Sequence, residues 1–392
     1  MGKLNRYVIL GVVLAIAIGV GIVFYSTYAN KNTVTLEDVF AAVYVGTSAL
    51  SENSKGVTAF IQEDGTIQQM TRDNIEWGTV INTADDIVLN GQDHITLVDK
   101  GTGNVHTVKS ECSVHSGYQN SSGYLKTSGI YYELFNHGFE DYDENASNYR
   151  SVIRWGNEKQ HECTDVPHYL VADGSDEESI FMMTTKMIGD GEFGELNILQ
   201  YTPKGNEFQI KEATLREDTL ELSLSNIVSN STHLYVMYLW EEDSRGEEEL
   251  RVLKVNKETL ELEDDFLVGT YPAEEDPYFF PFNQDAFHVT EKELYFVTGY
   301  GEVQQMDLQN GAAKTLFTLE DYTRGEWDID EHITFNDDQL YFIRFHEQKD
   351  VHVIDVYSLG GERTATYDVP ELQKMEKKGF QTRYIQDFEI IN

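Results

Sequence analysis

Residues 294–311 read LYFVTGYGEVQQMDLQNG, and 46 positions later residues 340–361 read LYFIRFHEQKDVHVIDVYSLGG. The letters differ and the chemistry repeats. Each stretch opens on an apolar run of strand-forming residues, turns through polar positions, and continues as a second alternating run that ends in a glycine-bearing turn. Its later part, a strand, a tight turn bearing Gly or Asn beside a polar residue, and a further strand, occurs also as HITLVDKGTGNVHTV from His94, LNILQYTPKGNEFQI from Leu196 and LRVLKVNKETLELEDDF from Leu250. Ahead of each lies a more apolar strand, such as IFMMTT from Ile180 or LYVMYLW from Leu234, and ahead of that another short one, such as AFHVT or HITFN. A weaker copy, GIYYELF followed by YRSVIRWG, fills the interval from 118 to 166.

Four strands per unit, recurring roughly every 44 to 60 residues, is the pattern of a β-propeller, in which twisted sheets pack face to face around an axis. The second strand of each unit is then buried on both faces, so it runs apolar without clean alternation. Six units span 74 to 370. The ends supply a seventh: VFAAVYVG and VTAFIQEDGTIQQM near the amino end, and RYIQDFEII as a lone strand at the carboxyl end. Pairing residues 383–391 with the amino-terminal strands closes the ring and removes two sheet edges at once. The expected fold is therefore all-β, a propeller of seven four-stranded blades over residues 37–392. Six blades is the alternative if residues 34–50 are helical. In this strand grammar the chain resembles the propeller superfamily of WD40, quinoprotein and YVTN-type repeats. It has no Trp-Asp dipeptide closing its third strands, no Gly-His pair opening its blades and no repeated tryptophan docking motif, so the resemblance implies the fold and no functional residue.

The amino terminus predicts something separate. Lys3 and Arg6 precede an uncharged run from Tyr7 to Tyr25, which as a helix would cross roughly 28 Å, enough for a hydrocarbon core. Residues 1–6 are expected in the cytoplasm, 7–25 in the lipid bilayer as a signal anchor, 26–36 as a short linker, and the remainder outside the cell membrane, because the positive charge lies ahead of the span. A cleaved signal peptide is the competing reading. The formal charge of −39, from 68 acidic against 29 basic residues, repels phosphate backbones and excludes nucleic acid as a partner.

In a propeller, the loops joining second to third strands share one face with the connections between blades, and that face meets most partners. Here those loops are acidic and aromatic. They carry Asp141 and Asp143 in HGFEDYDENASN, Glu241, Glu242 and Asp243 in EEDSRGEEE, Tyr278 and Phe279 in YPAEEDPYFFPFNQD, and Trp327, Asp328 and Asp330 in EDYTRGEWDIDEH. Carboxylates set among aromatic faces suit a cationic protein or peptide partner through charge pairing and cation–π contact. The alternative is a carbohydrate stacked on Trp327, with Asp328 and Asp330 as paired acids. Solvated loops with no ligand are the plain structural reading of the same residues.

Reactive motifs are weak. GDGEFG from Gly189 joins two strands, opens no helix and places Glu192 where a phosphate would sit. DYDEN resembles the start of a calcium loop, but Ala146 stands where the bend needs glycine, leaving Ca²⁺ as a weak possibility and no cofactor as the expectation. His161, Cys163, Asp165 and His168 could suggest a thiol or metal cluster, though junction residues are the commoner reading. Cys112 and Cys163 fall near the ends of fourth strands in consecutive blades. Those strands diverge at the rim, whereas a disulfide needs Cα atoms within about 7 Å. This weighs against a bond unless both residues have entered the inter-blade connection. The expectation is a binding or assembly module rather than an enzyme.

Overall fold

The strand Tyr384–Ile390 pairs antiparallel with Val39–Gly46, Phe388 lying opposite Val43 and Ile390 opposite Ala41, so the last strand of the chain completes the first blade. In this computed structural model the described residues are 33–47, 55–112, 122–139, 149–157, 160–188, 192–217, 224–241, 247–272, 282–322, 331–376 and 383–391. They form seven four-stranded antiparallel sheets. From the axis outward, blade 1 is Tyr384–Ile390, Val39–Gly46, Lys55–Gln62 and Ile67–Asp73, and blade 2 is Val80–Asn82, Asp86–Asn90, His94–Asp99 and Val105–Lys109. Blade 3 comprises Ser122–Leu125, Ile130–Phe139, Tyr149–Gly156 and His161–Pro167. Blade 4 comprises Tyr169–Ser175, Ile180–Ile188, Glu192–Lys204 and Glu207–Arg216. Blade 5 runs from Val228–Ser229 through His233–Glu241 and Glu247–Asn256 to Leu262–Pro272. Blade 6 runs from Phe282–Val289 to Ala313–Thr318, and blade 7 from His332–Asn336 to Arg363–Val369. The innermost strands touch in a closed cycle around the axis. Because residues 39–46 are a strand and not a helix, the count is seven.

Burial follows from this stacking. Every residue of Val39–Gly46 is buried, as are the six central residues of Val351–Ser358, because each middle strand has a neighbouring blade on both faces. The outer strand Glu207–Arg216 has no such cover and reads mostly exposed. Apolar clusters form between blades rather than within them: Ile343 and Ile354 of blade 7 pack with Val43 and Ile385 of blade 1, and Tyr235 and Met237 of blade 5 with Phe296 and Met306 of blade 6.

The third-to-fourth turns need a left-handed residue. Gly65, Gly103, Gly205, Gly311 and Gly361 supply it in five blades, and in blade 5 Leu260 takes φ 60°. That turn tolerates a leucine because the Asn256 side chain accepts the amides of Glu258 and Thr259, and because Leu260 is fully buried. Gly103 has a further role: a Cβ there would lie 1.8 Å from the Val34 carbonyl. The Val34 amide donates to the Gly103 carbonyl at 2.8 Å, and Thr33 forms a bridge with Asn104. The linker expected over 26–36 is therefore not free along its whole length. Its last residues are pinned beneath blade 2 by backbone pairing.

The apolar run 7–25 lies outside the described residues. Among the described residues no helix is long and apolar enough to cross a membrane, and the helix Leu372–Glu376 is a single turn or so between blade 7 and the closing strand.

Candidate functional site

Antiparallel alternation fixes which strand ends share a face. Second-to-third loops and blade-to-blade connections open at one end of the axis, here termed the upper end. First-to-second and third-to-fourth turns open at the lower. The segments holding Asp141 and Asp143 (140–148), Glu242 and Asp243 (242–246), Tyr278 and Phe279 (273–281), and Trp327, Asp328 and Asp330 (323–330) lie outside the described residues. Their described flanks, Phe139 with Tyr149, Glu241 with Glu247, Pro272 with Phe282, and Tyr322 with Glu331, are all upper-end positions. Glu241 is the last residue of its strand and pairs with Glu248.

At the upper end between blades 1 and 2, Asp73, Asp93 and His94 bring two carboxylates and an imidazole within 4.8 Å of one another. The donor set would suit a borderline cation such as Zn²⁺. The Lys55 ammonium, however, is paired directly with Asp73 and already supplies the positive charge a metal would bring. His94 Nδ1 lies 2.9 Å from Asp93, and this hydrogen bond holds the Asp93 carboxyl below the usual carboxylate range.

Beneath that rim, buried arginines cement the junctions. The Arg72 guanidinium stacks 3.9 Å from the Tyr44 ring centre and donates to the Asn90 backbone and side-chain oxygens at 2.5 and 2.9 Å. Arg154, fully buried in blade 3, donates through Nε to Glu133 at 2.7 Å and through Nη1 to the Gly91 carbonyl of blade 2 at 2.8 Å. Burial raises the Glu133 carboxyl above its ordinary value, and the Arg154 charge and hydrogen bond oppose that rise. These groups hold blades together.

On the innermost strands, acids cluster where the closing strand meets its neighbours. Asp387 accepts the Val80 amide of blade 2 at 2.5 Å and the Phe388 amide at 2.9 Å. Asp285 of blade 6 accepts from Asn226 of blade 5 at 2.9 Å. His332 of blade 7 approaches the Ile385 carbonyl at 2.9 Å. Burial, with the Asp285 charge adding to it, pushes Asp387 up to about 7. Burial and the Asp387 charge push Glu389 up to about 8. Both folded values lie above the unfolded ones, so the stability they contribute is complete below about pH 4 and is lost as pH rises through 7 and 8. An Asp387→Asn, Glu389→Gln double variant is expected to lose several kcal/mol less stability than the parent between pH 5 and pH 9, measured by urea unfolding. Parallel pH curves for the two proteins would refute this.

The residues around 161–168 do not assemble into a reactive cluster. His161 Nδ1 meets the Tyr131 hydroxyl at 2.5 Å, Asp165 pairs with Arg150 at 2.7 Å, and His168 takes φ 75° at the turn into blade 4. Cys163 is bonded to Cys112, with Cα atoms 6.3 Å apart. The expectation from diverging rims fails because Cys112 lies beyond the end of Val105–Lys109, in the inter-blade connection, where the chain has already crossed towards blade 3. Residues 189–191 of GDGEFG lie outside the described residues, and their flanks Ile188 and Glu192 stand opposite each other on the second and third strands of blade 4.

Two clefts that no sequence pattern announced open at the lower end. One, of about 290 Å³, lies between blades 2 and 3 and is lined in part by Asp85, Asp86, Tyr124 and Tyr131. The other, of about 300 Å³, lies between blades 1 and 7 beside Asp38, Phe40 and Tyr367.

The profile of the "YycP, beta-propeller domain" family matches residues 34–391. The chain belongs to the YycP β-propeller family. It is similar to the protein titled "Uncharacterized protein YycP" of Bacillus subtilis (strain 168), with 25% identity over 339 residues, covering 84% of this chain and 82% of that one. Among solved structures it is similar to the apocarotenoid oxygenase of Synechocystis, with a TM-score of 0.50 and 8% identity over 92% of this chain and 94% of that chain. It is also similar to AztD from Citrobacter koseri, with a TM-score of 0.49 and 15% identity over 92% and 89%. Identities this low speak for the fold alone. The family match covers every blade of this YycP-type propeller and its closing strand.

Proposed function

We propose that this YycP-family propeller is held outside the cell membrane by residues 7–25 and acts as a binding or assembly module for a cationic protein or peptide. The observation that carries the reading is the opposition of its two ends. The chain enters blade 1 from below, where Val34 is pinned to Gly103. The strand ends that flank the acidic and aromatic segments all lie above. A tether at the lower end would leave at most about 29 Å of extended chain between residue 25 and Thr33, so the lower end would face the bilayer. The acidic face would then point away from the anionic lipid surface and towards a partner.

Charge reversal tests it. In cross-linked co-purification of the full-length protein from membranes at low salt, Glu241→Lys, Glu242→Lys and Asp243→Lys together are expected to remove a partner that Glu207→Lys with Glu212→Lys on the exposed outer strand of blade 4 retains. Capture that ignores both salt and the loop substitutions would defeat the reading.

A further inference from the structure

We infer that Trp77 and Glu76, on the connection from blade 1 to blade 2, form the anchor for an arginine side chain of the cationic partner. The inference rests on the reading of the upper end as the side that meets that partner. Three large apolar side chains are exposed among the described residues. Ile210 and Leu267 lie on the outer strands of blades 4 and 5, where no further strand covers the sheet. Trp77, 42% exposed, stands instead on a loop at the upper end, between Asp73 and Val80. Among the described residues its ring joins no apolar cluster and its indole N–H has no acceptor. An indole left in water on a partner-facing loop has the character of a binding hot spot.

The loop presents that side chain rigidly. On the entering side, Asn74 accepts the Thr47 amide at 2.9 Å and donates to the Thr47 carbonyl at 2.7 Å. The Tyr44 hydroxyl accepts the Ile75 amide at 3.0 Å and donates to the Ile75 carbonyl at 3.1 Å, while the Ile75 side chain is buried with Phe135 of blade 3. On the leaving side, the Thr79 amide donates to Asn90 Oδ1 at 3.1 Å and the Thr79 carbonyl accepts from Arg72 at 3.3 Å. Gly78 lies so close to Tyr44 that a Cβ would fall 2.4 Å from its ring. Between these clamps Trp77 takes φ 57°. A bulky side chain rarely adopts this left-handed conformation, which persists only where flanking contacts impose it. Little loop ordering is then left to be lost on binding.

Glu76 supplies the charge. It is partly buried, and its carboxyl makes no hydrogen bond or ion pair among the described residues. Burial alone pushes it above the ordinary carboxylate value, with no neighbouring cation pulling it down. The cations at this junction are committed elsewhere, Lys55 to Asp73 and Arg72 to Asn90 and the Thr79 carbonyl. A partly desolvated carboxylate next to an unpartnered indole suits a guanidinium, whose planar face stacks on the ring while its edge forks to the acid. An ammonium is a compact charge that lacks the planar face and the fork. An anion would be repelled by Glu76 and by the net charge of −39.

The probe is acetyl-Gly-Arg-Gly-amide, titrated into the full-length protein at low salt and followed by ligand-observed NMR, with the lysine and neutral citrulline tripeptides as comparators. Saturable binding of the arginine peptide is expected, with the lysine peptide about three-fold weaker and the citrulline peptide unbound. Trp77→Ala is expected to weaken binding about five-fold and Trp77→Phe to retain most of it. Trp77→Leu is expected to behave like the alanine variant, since it keeps apolar bulk and loses the ring face. Glu76→Gln is expected to weaken binding about three-fold. Trp77→Gly separates binding from folding: it is expected to lose the peptide without lowering the thermal midpoint, because glycine takes the left-handed backbone freely. Absence of saturable binding in the parent, citrulline bound as tightly as arginine, unchanged affinity in Trp77→Ala, or Trp77→Leu binding as well as Trp77→Phe would each overturn the inference. Those results leave the proposed function standing where the Glu241, Glu242 and Asp243 reversals still remove the co-purified partner. Tripeptide binding that survives while the reversals leave the partner in place defeats the proposed function and spares the anchor.

Discussion

Truncation after Arg383 is expected to abolish cooperative thermal unfolding and leave a protease-sensitive chain. The missing strand is the inner strand of blade 1 and the contact between the two ends of the chain. Without it Val39–Gly46 becomes an exposed edge, and Ala41, Val43 and Val45 lose Ile385, Phe388 and Ile390 from their apolar cluster. Neighbouring blades lose their stitches as well. Asn82 donates to the carbonyls of Ile390 and Ile391 at 2.9 and 3.2 Å, and the Ile391 amide donates to Phe40 at 2.8 Å. A single change grades the effect: Phe388→Ala removes a buried ring and is expected to cost about 3–5 kcal/mol. Circular dichroism melts and limited proteolysis measure both, and a truncated chain that melts like the parent would contradict ring closure.

The second large effect concerns the ion pair inside the junction of blades 2 and 3. Glu133→Gln leaves the Arg154 guanidinium, with a side chain 1% exposed, without its counter-charge. Breaking a buried pair from one side costs about 3–5 kcal/mol, because the remaining charge keeps its desolvation penalty and loses its compensation. Replacing both partners, as Glu133→Leu with Arg154→Met, is expected to recover most of that loss, since neither desolvated charge remains. Urea unfolding of the single and double variants decides it. A single variant within 1 kcal/mol of the parent would mean that the pair is not desolvated as the structure has it.

Much of the fold could be read from the one-dimensional pattern, for a local reason. A strand sandwiched between two blades must be apolar on both faces, so Leu294–Phe296 and Leu340–Phe342 declare their position wherever they occur. Turn chemistry was legible at Gly205, Gly311 and Gly361. It was not at Leu260, whose left-handed backbone is supported by Asn256 and by burial against neighbouring strands. The carboxyl-terminal strand could be placed because RYIQDFEII has no partner nearby in sequence and an open ring would have two bare edges.

The sites were less legible, because they depend on which residues meet across a junction. Composition pointed to the acidic and aromatic upper loops, and nothing pointed to the clefts below. Asp85 and Tyr124 stand in different blades, and no periodicity links them. The cysteines show the same limit: spacing placed them at adjacent rims, and whether they met depended on the course of the chain beyond Lys109. Period, alternation and turn residues are short-range properties of a chain, so the sequence by itself determined the four-stranded blade and pointed to the strand that closes the ring, while the choice of seven blades over six waited on Val39–Gly46 being a strand. The disulfide, the raised carboxyls on the innermost strands and the lower-end clefts arise from distances between residues far apart along the chain. The packing of one blade on the next sets those distances, and only the tertiary structure decided them.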